Sequence, residues 1–406
     1  MQDLTPLDAC VRGLRSEMVA FTEALVGIAS ENPPGTAYPE SVRAIEARLR
    51  SLGLEVERVP YPPRKGERDR SGAAVILSGV GKGKRTLYFS GHYDVVPVSR
   101  PGQCRAVRRG NALFGRGTAD MKGGLAAMLY AAVALQRARV PLAGRVALVF
   151  VPDEETGGRR GSGHLARIGR LGRDGIGMLT PEPTTGVVWN ANRGAITFRV
   201  TVRGRQAHIG LMHQGRSAFE DAIRVVTALQ AHARRVGRRK TRFHLTPSDA
   251  RRSLMLVGGR VEAGTNFNVV PDVCTFTVDR RMNPEEDLHT ERDALLDLFD
   301  RMRRQGIELD VEVLQEARPA GVSEATPLGR ALRDQVRSVT GRAPRFEMCP
   351  GLLETRFYAE QGMPAYAYGP GALAVAHGPR EFVRVDRLVE CAAIYARTAA
   401  TVLAPA

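Results

Sequence analysis

The chain has 406 residues, with 59 Lys and Arg against 43 Asp and Glu, a formal charge of +16. With 43% hydrophobic and 25% charged residues it reads as a globular chain long enough for two domains, which excludes a disordered segment or a fibrous repeat. Its five cysteines (10, 104, 274, 349 and 391) show no CxxC spacing and are odd in number, so a reduced, cytoplasmic setting is expected.

The N-terminus carries Asp3 and no basic stretch followed by an apolar run, so no signal peptide is read there. Leu7, Val11, Leu14, Met18, Leu25 and Ile28 recur at three- and four-residue steps, with one gap at Phe21, and predict an amphipathic helix over 7–28. The breaker Asn32-Pro33-Pro34-Gly35 ends it, and Val42, Ile45, Leu49 and Leu52 predict a second helix over 41–52. Strand-like runs at 73–77, 86–89 and 146–151 then alternate with a helix from Gly123 onward. The 146–151 run is apolar on both faces, as in a central strand covered by helices, so this half reads as an α/β layer. The most apolar stretch, 125–135, is well short of the roughly 20 residues that span a bilayer, so no membrane span is expected.

The pattern changes after Arg193. Ile196, Phe198, Val200 and Val202 alternate with Thr197, Arg199, Thr201 and Arg203, and Cys274, Phe276 and Val278 repeat the alternation. Helical patterns lie near 218–236 and 285–304, and short elements return beyond them, including 365–368 and a closing helix over 385–402. These patterns predict a smaller α+β domain with a one-sided antiparallel sheet at 192–308, inserted into a main domain formed by 1–191 and 309–406.

The charge raises the question of nucleic acid, with Arg234, Arg235, Arg238, Arg239 and Lys240 as the densest cluster. Yet 54 arginines against five lysines are scattered through every segment, with no zinc-finger spacing or aromatic RNA-binding motif. Nucleic acid is therefore not the expected partner.

Five motifs sit at or just after the ends of apolar strand-like runs: Gly91-His92-Tyr93-Asp94, the loop 115–124 (GRGTADMKGG), Asp153-Glu154-Glu155-Thr156-Gly157-Gly158, Pro181-Glu182-Pro183 and Ala376-His377. Ligands of open α/β sheets gather where strands end. Two imidazoles with several carboxylates and no cysteine suit zinc, cobalt or manganese, and three carboxylates would leave two dications about one positive charge for polarising a carbonyl or ionising water.

Together and in this order, the motifs resemble the metallopeptidase and deacylase family M20, which includes acetylornithine deacetylase, succinyl-diaminopimelate desuccinylase, aminoacylase-1 and glutamate carboxypeptidase. GHYDVVPV at 91–98, GRGTADMKGG at 115–124 and YGPG at 368–371 look closest to its acetylornithine deacetylase and desuccinylase branch. The resemblance implies an α/β, zinc-exopeptidase-like catalytic domain with an inserted α+β, ferredoxin-like lid and dimerisation domain. It implies two divalent ions per chain, most simply zinc, with cobalt or manganese as options. His92, Asp120 and Glu182 would hold one ion, and Asp120, Glu155 and His377 the other. Asp94 would orient His92, and Glu154 would be the general base. His208 would reach the partner subunit's site in a homodimer and stabilise the oxyanion, whereas His164, His213, His232, His244 and His289 receive no role. Asn268 and Arg281 match positions that hold the substrate's polar end, although Arg280 beside Arg281 is an equal candidate for pointing inward.

The chain departs from the family at three places. The loop 104–109 is short and basic, and Gly215-Arg216-Ser217-Ala218 loses an amide side chain, though serine still caps a helix. Gly351-Leu352-Leu353-Glu354-Thr355-Arg356 stands where the family has Gly-Gly-Thr-Asp-Ala-Arg, which points to a bulkier, more apolar substrate group at Gly351, Leu352 and Leu353. The expected activity is deacylation of an N-acyl amino acid. The alternatives are a carboxypeptidase or dipeptidase acting on short peptides, or a catalytically silent binding homologue.

Overall fold

The computed structural model describes residues 4–61, 74–172 and 174–405. Residue 73, where the first strand was expected to begin, lies outside them, as do residues 1–3. The chain divides into two compact units, Met1–Asn190 with Val322–Glu347 and Glu354–Ala406, and Ala191–Gly321 with Met348–Leu353.

In the first unit four parallel strands lie side by side in the order Arg145–Val151, Thr86–His92, Gly175–Thr180 and Ala365–Ala367. Antiparallel partners flank them, with Ala74–Gly81 on one side and Val188–Asn192 on the other. Thr86–His92 is buried along its whole length. Leu87 and Phe89 join Val146, Leu148 and Phe150 in one core layer, while Tyr88, Val149, Val151 and Met178 form the opposite layer. That two-sided burial is the physical reason for the unbroken apolar runs.

The helix Lys122–Arg137 is buried from Lys122 to Leu135, consistent with its being apolar on every side. Gly124 permits a backbone approach that no side chain would: a Cβ there would lie 2.5 Å from the Pro181 carbonyl oxygen. The helix can thereby press on the loop that carries Glu182. The helix expected over 7–28 is two helices, Thr5–Gly13 and Arg15–Val26, because the chain breaks at Leu14 immediately after a glycine of weak helix propensity.

The second unit runs strand, helix, strand, strand, helix, strand: Gly194–Arg203, Ala218–Val236, Leu254–Ala263, Val273–Met282, Leu288–Arg304 and Glu308–Ala317. The sheet order is Leu254–Ala263, Val273–Met282, Gly194–Arg203, Glu308–Ala317, with every neighbour antiparallel, which is the ferredoxin-like arrangement. Ile196, Phe198, Val200 and Val202 are fully buried beside Val225, Leu229, Leu295 and Phe299 of the two helices. Each such side chain contributes about 1.5–3 kcal/mol on leaving water. Ser217 caps the first helix by accepting from the Glu220 N–H at 3.2 Å, and Asp287 caps the second by accepting from Thr290 at 2.9 Å.

The unit extends past the expected boundary at 308. Glu308–Ala317 completes the sheet, with Leu309 opposite Val202 and Val311 opposite Val200, so its core requires this strand. Among the described residues no cysteine is in a disulfide. Among the described residues no helix is long and apolar enough to cross a membrane.

Candidate metal centre

The carboxyl ends of the four parallel strands deliver the chemistry. His92 is the last residue of its strand, Glu154 and Glu155 lie in the short turn after Arg145–Val151, and Glu182 follows Gly175–Thr180 by two residues. The loop after Ala365–Ala367 leads to His377, and Asp120 immediately precedes the segment that opens the buried helix. Gly369 makes a second close approach, since a Cβ there would lie 2.2 Å from the Pro181 carbonyl and 2.3 Å from that of Glu182.

Among the described residues two donor triads result, His92–Asp120–Glu182 and Asp120–Glu155–His377, each with its ligand atoms within 4.8 Å of one another. His92 Nε2 lies 3.2 Å from Asp120 Oδ1, while His377 Nε2 lies 3.2 Å from Asp120 Oδ2 and 3.3 Å from Glu155 Oε2. Asp120 thus turns one carboxylate oxygen toward each triad. His92 Nε2 and Asp120 Oδ1 are buried and, among the described residues, have no hydrogen-bond partner, despite their proximity. Buried polar atoms are seldom left orphaned, and a cation between them would satisfy both.

The electrostatics agree with this donor chemistry. Burial raises the carboxyl pKa values of Glu154 and Glu155, and with the help of Asp120 it pushes Glu182 up to about 8. Burial works the same way on Asp120, but the imidazoles of His377 and His92 beside it outweigh it and hold that carboxyl below its usual range. Contacts with Asp120 and Glu155 push His377 up to about 10. An excess of buried negative charge of this kind is what divalent cations relieve, and the mixture of imidazole and carboxylate donors fits zinc-type ions.

Asp94 holds more than His92. Its backbone carbonyl lies 3.0 Å from His92 Nδ1 and its carboxylate 3.5 Å. The carboxylate accepts from the backbone N–H groups of Glu154 and Glu155, both at 3.2 Å, and from Asn32 Nδ2 at 2.9 Å. Asn32, read in the sequence only as part of a breaker, also donates to Thr156 Oγ1 at 2.9 Å.

Other supports escaped the sequence reading. Lys122 is buried and donates to the carbonyls of Leu25 and Ile28 at 2.9 and 2.7 Å. Glu354 is buried against Gly158 and Gly161, with its carboxyl pushed up to about 7 by burial. Arg356 donates to the Gly157 carbonyl at 2.5 Å, below the Glu154–Glu155 turn. Arg116 and Glu381 form a buried ion pair at 2.6 Å. All but Glu381 lie inside motifs quoted from the sequence for other residues, and nothing in the local pattern marks them as supports.

The remaining candidates belong to the second unit. His208 is exposed on a short ribbon opposite Val269, where its Nδ1 accepts from the Gly210 N–H at 3.1 Å. Asn268 is half-buried, and its carbonyl accepts from Ile209 at 3.0 Å. Arg281 is partly exposed, with its fork bidentate on Asp279 at 2.8 and 2.9 Å. Arg280 is the inward-pointing neighbour, fully buried against Glu286 and Glu291 at 2.5 and 3.0 Å. Gly351 and Leu352 are half-buried, but Leu353 is only 3% exposed, so the two leucines are not equivalent. In the basic cluster, Arg239 is engaged by Glu286 and Glu291, both at 2.6 Å.

Residues 88–401 match the family described as peptidase family M20/M25/M40. The chain is 28% identical to an acetylornithine deacetylase of Myxococcus xanthus, covering 87% of this chain and 90% of that one. It is 30% identical to a succinyl-diaminopimelate desuccinylase of Gluconobacter oxydans, covering 77% and 79%. Its fold resembles that of an M20 family metallo-carboxypeptidase from Sulfolobus solfataricus, with a TM-score of 0.78 and 16% identity over 95% of this chain and 99% of that one. With its donor triads at the strand ends and this extent of match, the chain belongs to peptidase family M20/M25/M40.

Proposed function

We propose that the protein is a two-metal amide hydrolase that removes the acyl group from an N-acyl amino acid. The observation that carries this reading is the pair of donor triads sharing Asp120, with Glu154 adjacent to Glu155 yet outside both triads. The deacylase names of the relatives support the substrate class. Zinc is the proposed ion, with cobalt or manganese accepted by the same donors.

His92, Asp120 and Glu182 would hold one ion, and Asp120, Glu155 and His377 the other. When bound, the ions would supply polarisation of the amide carbonyl and an acidified water. Glu154 takes the proton from the attacking water at its carboxylate and passes it to the leaving amine nitrogen. Its raised pKa, caused chiefly by burial, suits a group that must hold the proton between those two transfers. Asp94 fixes the Glu154–Glu155 turn through two backbone hydrogen bonds, so base and ligand keep a constant spacing.

His208 is assigned as the donor to the developing oxyanion across a homodimer, with Asn268 and Arg281 contacting the substrate's polar end. Dimerisation is favoured by the second unit's edge strand Leu254–Ala263, on which Leu256 is 60% and Val261 55% exposed; such an edge seeks a pairing partner. A cytoplasmic location completes the proposal. The second reading, a carboxypeptidase or dipeptidase, draws on Leu352 in place of the family's small loop residue. Assaying N-acetylornithine, other N-acyl amino acids and dipeptides side by side, after zinc or cobalt loading, decides between them. Faster turnover of dipeptides than of every acyl amino acid would overturn the deacylase assignment.

A further inference from the structure

The loops that present Asp120 and His377 are joined by an ion pair that supplies no ligand atom to either donor triad. Arg116 and Glu381 are each 2% exposed. Glu381 Oε1 accepts three N–H groups of one loop, from Gly117 at 2.9 Å, Ala119 at 3.0 Å and Asp120 at 3.1 Å. Its Oε2 takes the Arg116 fork at 2.6 Å. The other side of that fork donates to the carbonyls of His377 at 3.1 Å and Pro97 at 3.3 Å, and Nη1 also reaches Gly378 at 3.4 Å. Gln103 adds a bond to the Gly378 carbonyl at 3.1 Å.

The two triads depend on this latch unequally. His92 and Glu182 sit at or just beyond strand ends and are 1% and 5% exposed, so only Asp120 of the first triad hangs on the latch. In the second triad both Asp120 and His377 hang on it. The His377 side chain is 51% exposed, and its backbone stands at φ 62°, a left-handed conformation that a non-glycine residue holds only when its surroundings fix it.

We propose that Arg116 and Glu381 are positioning residues for the second ion pocket, Asp120–Glu155–His377, and set its affinity separately from that of His92–Asp120–Glu182. This rests on the two-ion reading above. Groups behind ligands tune metal affinity by fixing ligand orientation, and losing either member here would also leave an uncompensated buried charge.

The test is equilibrium dialysis of the metal-free full chain against zinc or cobalt, followed by elemental analysis. The wild type should take up two ions per chain; uptake of one or none overturns the two-ion reading, whatever the variants do. Given two in the wild type, Glu381→Gln should keep the first ion and weaken the second by about 10- to 100-fold. Arg116→Lys keeps a cation against Glu381 but loses the second nitrogen at the His377 carbonyl. It should show the same selective loss with a wild-type circular dichroism spectrum, and it decides the matter alone if Glu381→Gln does not fold. Equal weakening of both ions, or of neither, overturns the latch.

Discussion

The two units place their polar residues in opposite ways. In the first, His92, Asp120, Glu155 and Glu182 are buried at or near strand ends and face one another, so carboxylates and imidazoles perturb each other strongly. In the second, His208 is exposed and Arg281 partly so, each with a local partner, Gly210 or Asp279, that satisfies it on the spot. The first unit therefore contains a full donor set, whereas the second offers groups whose chemistry depends on what they meet. Substitutions should divide along the same line, with metal content responding only to the first.

The sharpest test of that division lies within the first unit. Glu154→Gln should lower kcat by about 100-fold or more while both ions stay bound, because a positioned general base contributes that much. Glu155→Ala should lose an ion instead. Metal analysis beside turnover separates them, and loss of metal from the Glu154 variant alone would reverse the two assignments.

His208→Ala tests the opposite side of the comparison. Turnover should fall by about 10- to 100-fold, below or at the low end of what one oxyanion donor supplies, with metal content and KM near wild type. A variant that lost metal would place His208 among the groups the first unit depends on and erase the contrast.

Glu354 probes how far burying a carboxyl in the first unit costs stability. Its carboxyl is pushed from 4.5 to about 7 by burial, so folding favours its protonated form. The benefit is full below about pH 4.5 and is lost as pH rises through 7, a change of up to about 3 kcal/mol. In metal-free protein, melting temperature should fall across that window for the wild type and fall less for Glu354→Gln. Identical pH profiles would show that the carboxyl is not titrating there.

Which of these features could be read from sequence follows from where the information lies. Three of the four parallel strands, the ligand-bearing motifs and two alternating strands of the second unit are legible, because each is a local run whose period or punctuation reports its burial; Gly175–Thr180, opened by two glycines, is not. Leu254–Ala263 was not: Gly258 and Gly259 interrupt it at a register shift, and its Leu256 and Val261 point to solvent, so its alternation does not mark a core. Glu308–Ala317 carries a readable alternation at Leu309, Val311 and Val313, but only its pairing with Gly194–Arg203, more than a hundred residues earlier, assigns it to the smaller domain. The Arg116–Glu381 pair spans 265 positions, and nothing in either segment names the other.

The smallest expected effect concerns the loop that departs most from its family. In the sequence Leu352 and Leu353 are adjacent apolar residues with the same implied role. Their burial separates them. Leu353, at 3% exposed, is part of the packing, and Leu353→Ala should cost about 2–5 kcal/mol of stability whatever the substrate. Leu352 is half-buried, so Leu352→Gly should move the melting temperature little and shift KM a few-fold, favouring acetyl over longer acyl groups. A missing methylene in an apolar pocket is worth about 1–3 kcal/mol at most, which bounds the change in preference. If Leu352→Gly leaves the ranking of acyl groups untouched, the second unit's contribution to specificity has to come from Asn268 and Arg281, and the apolar loop is only a packing surface.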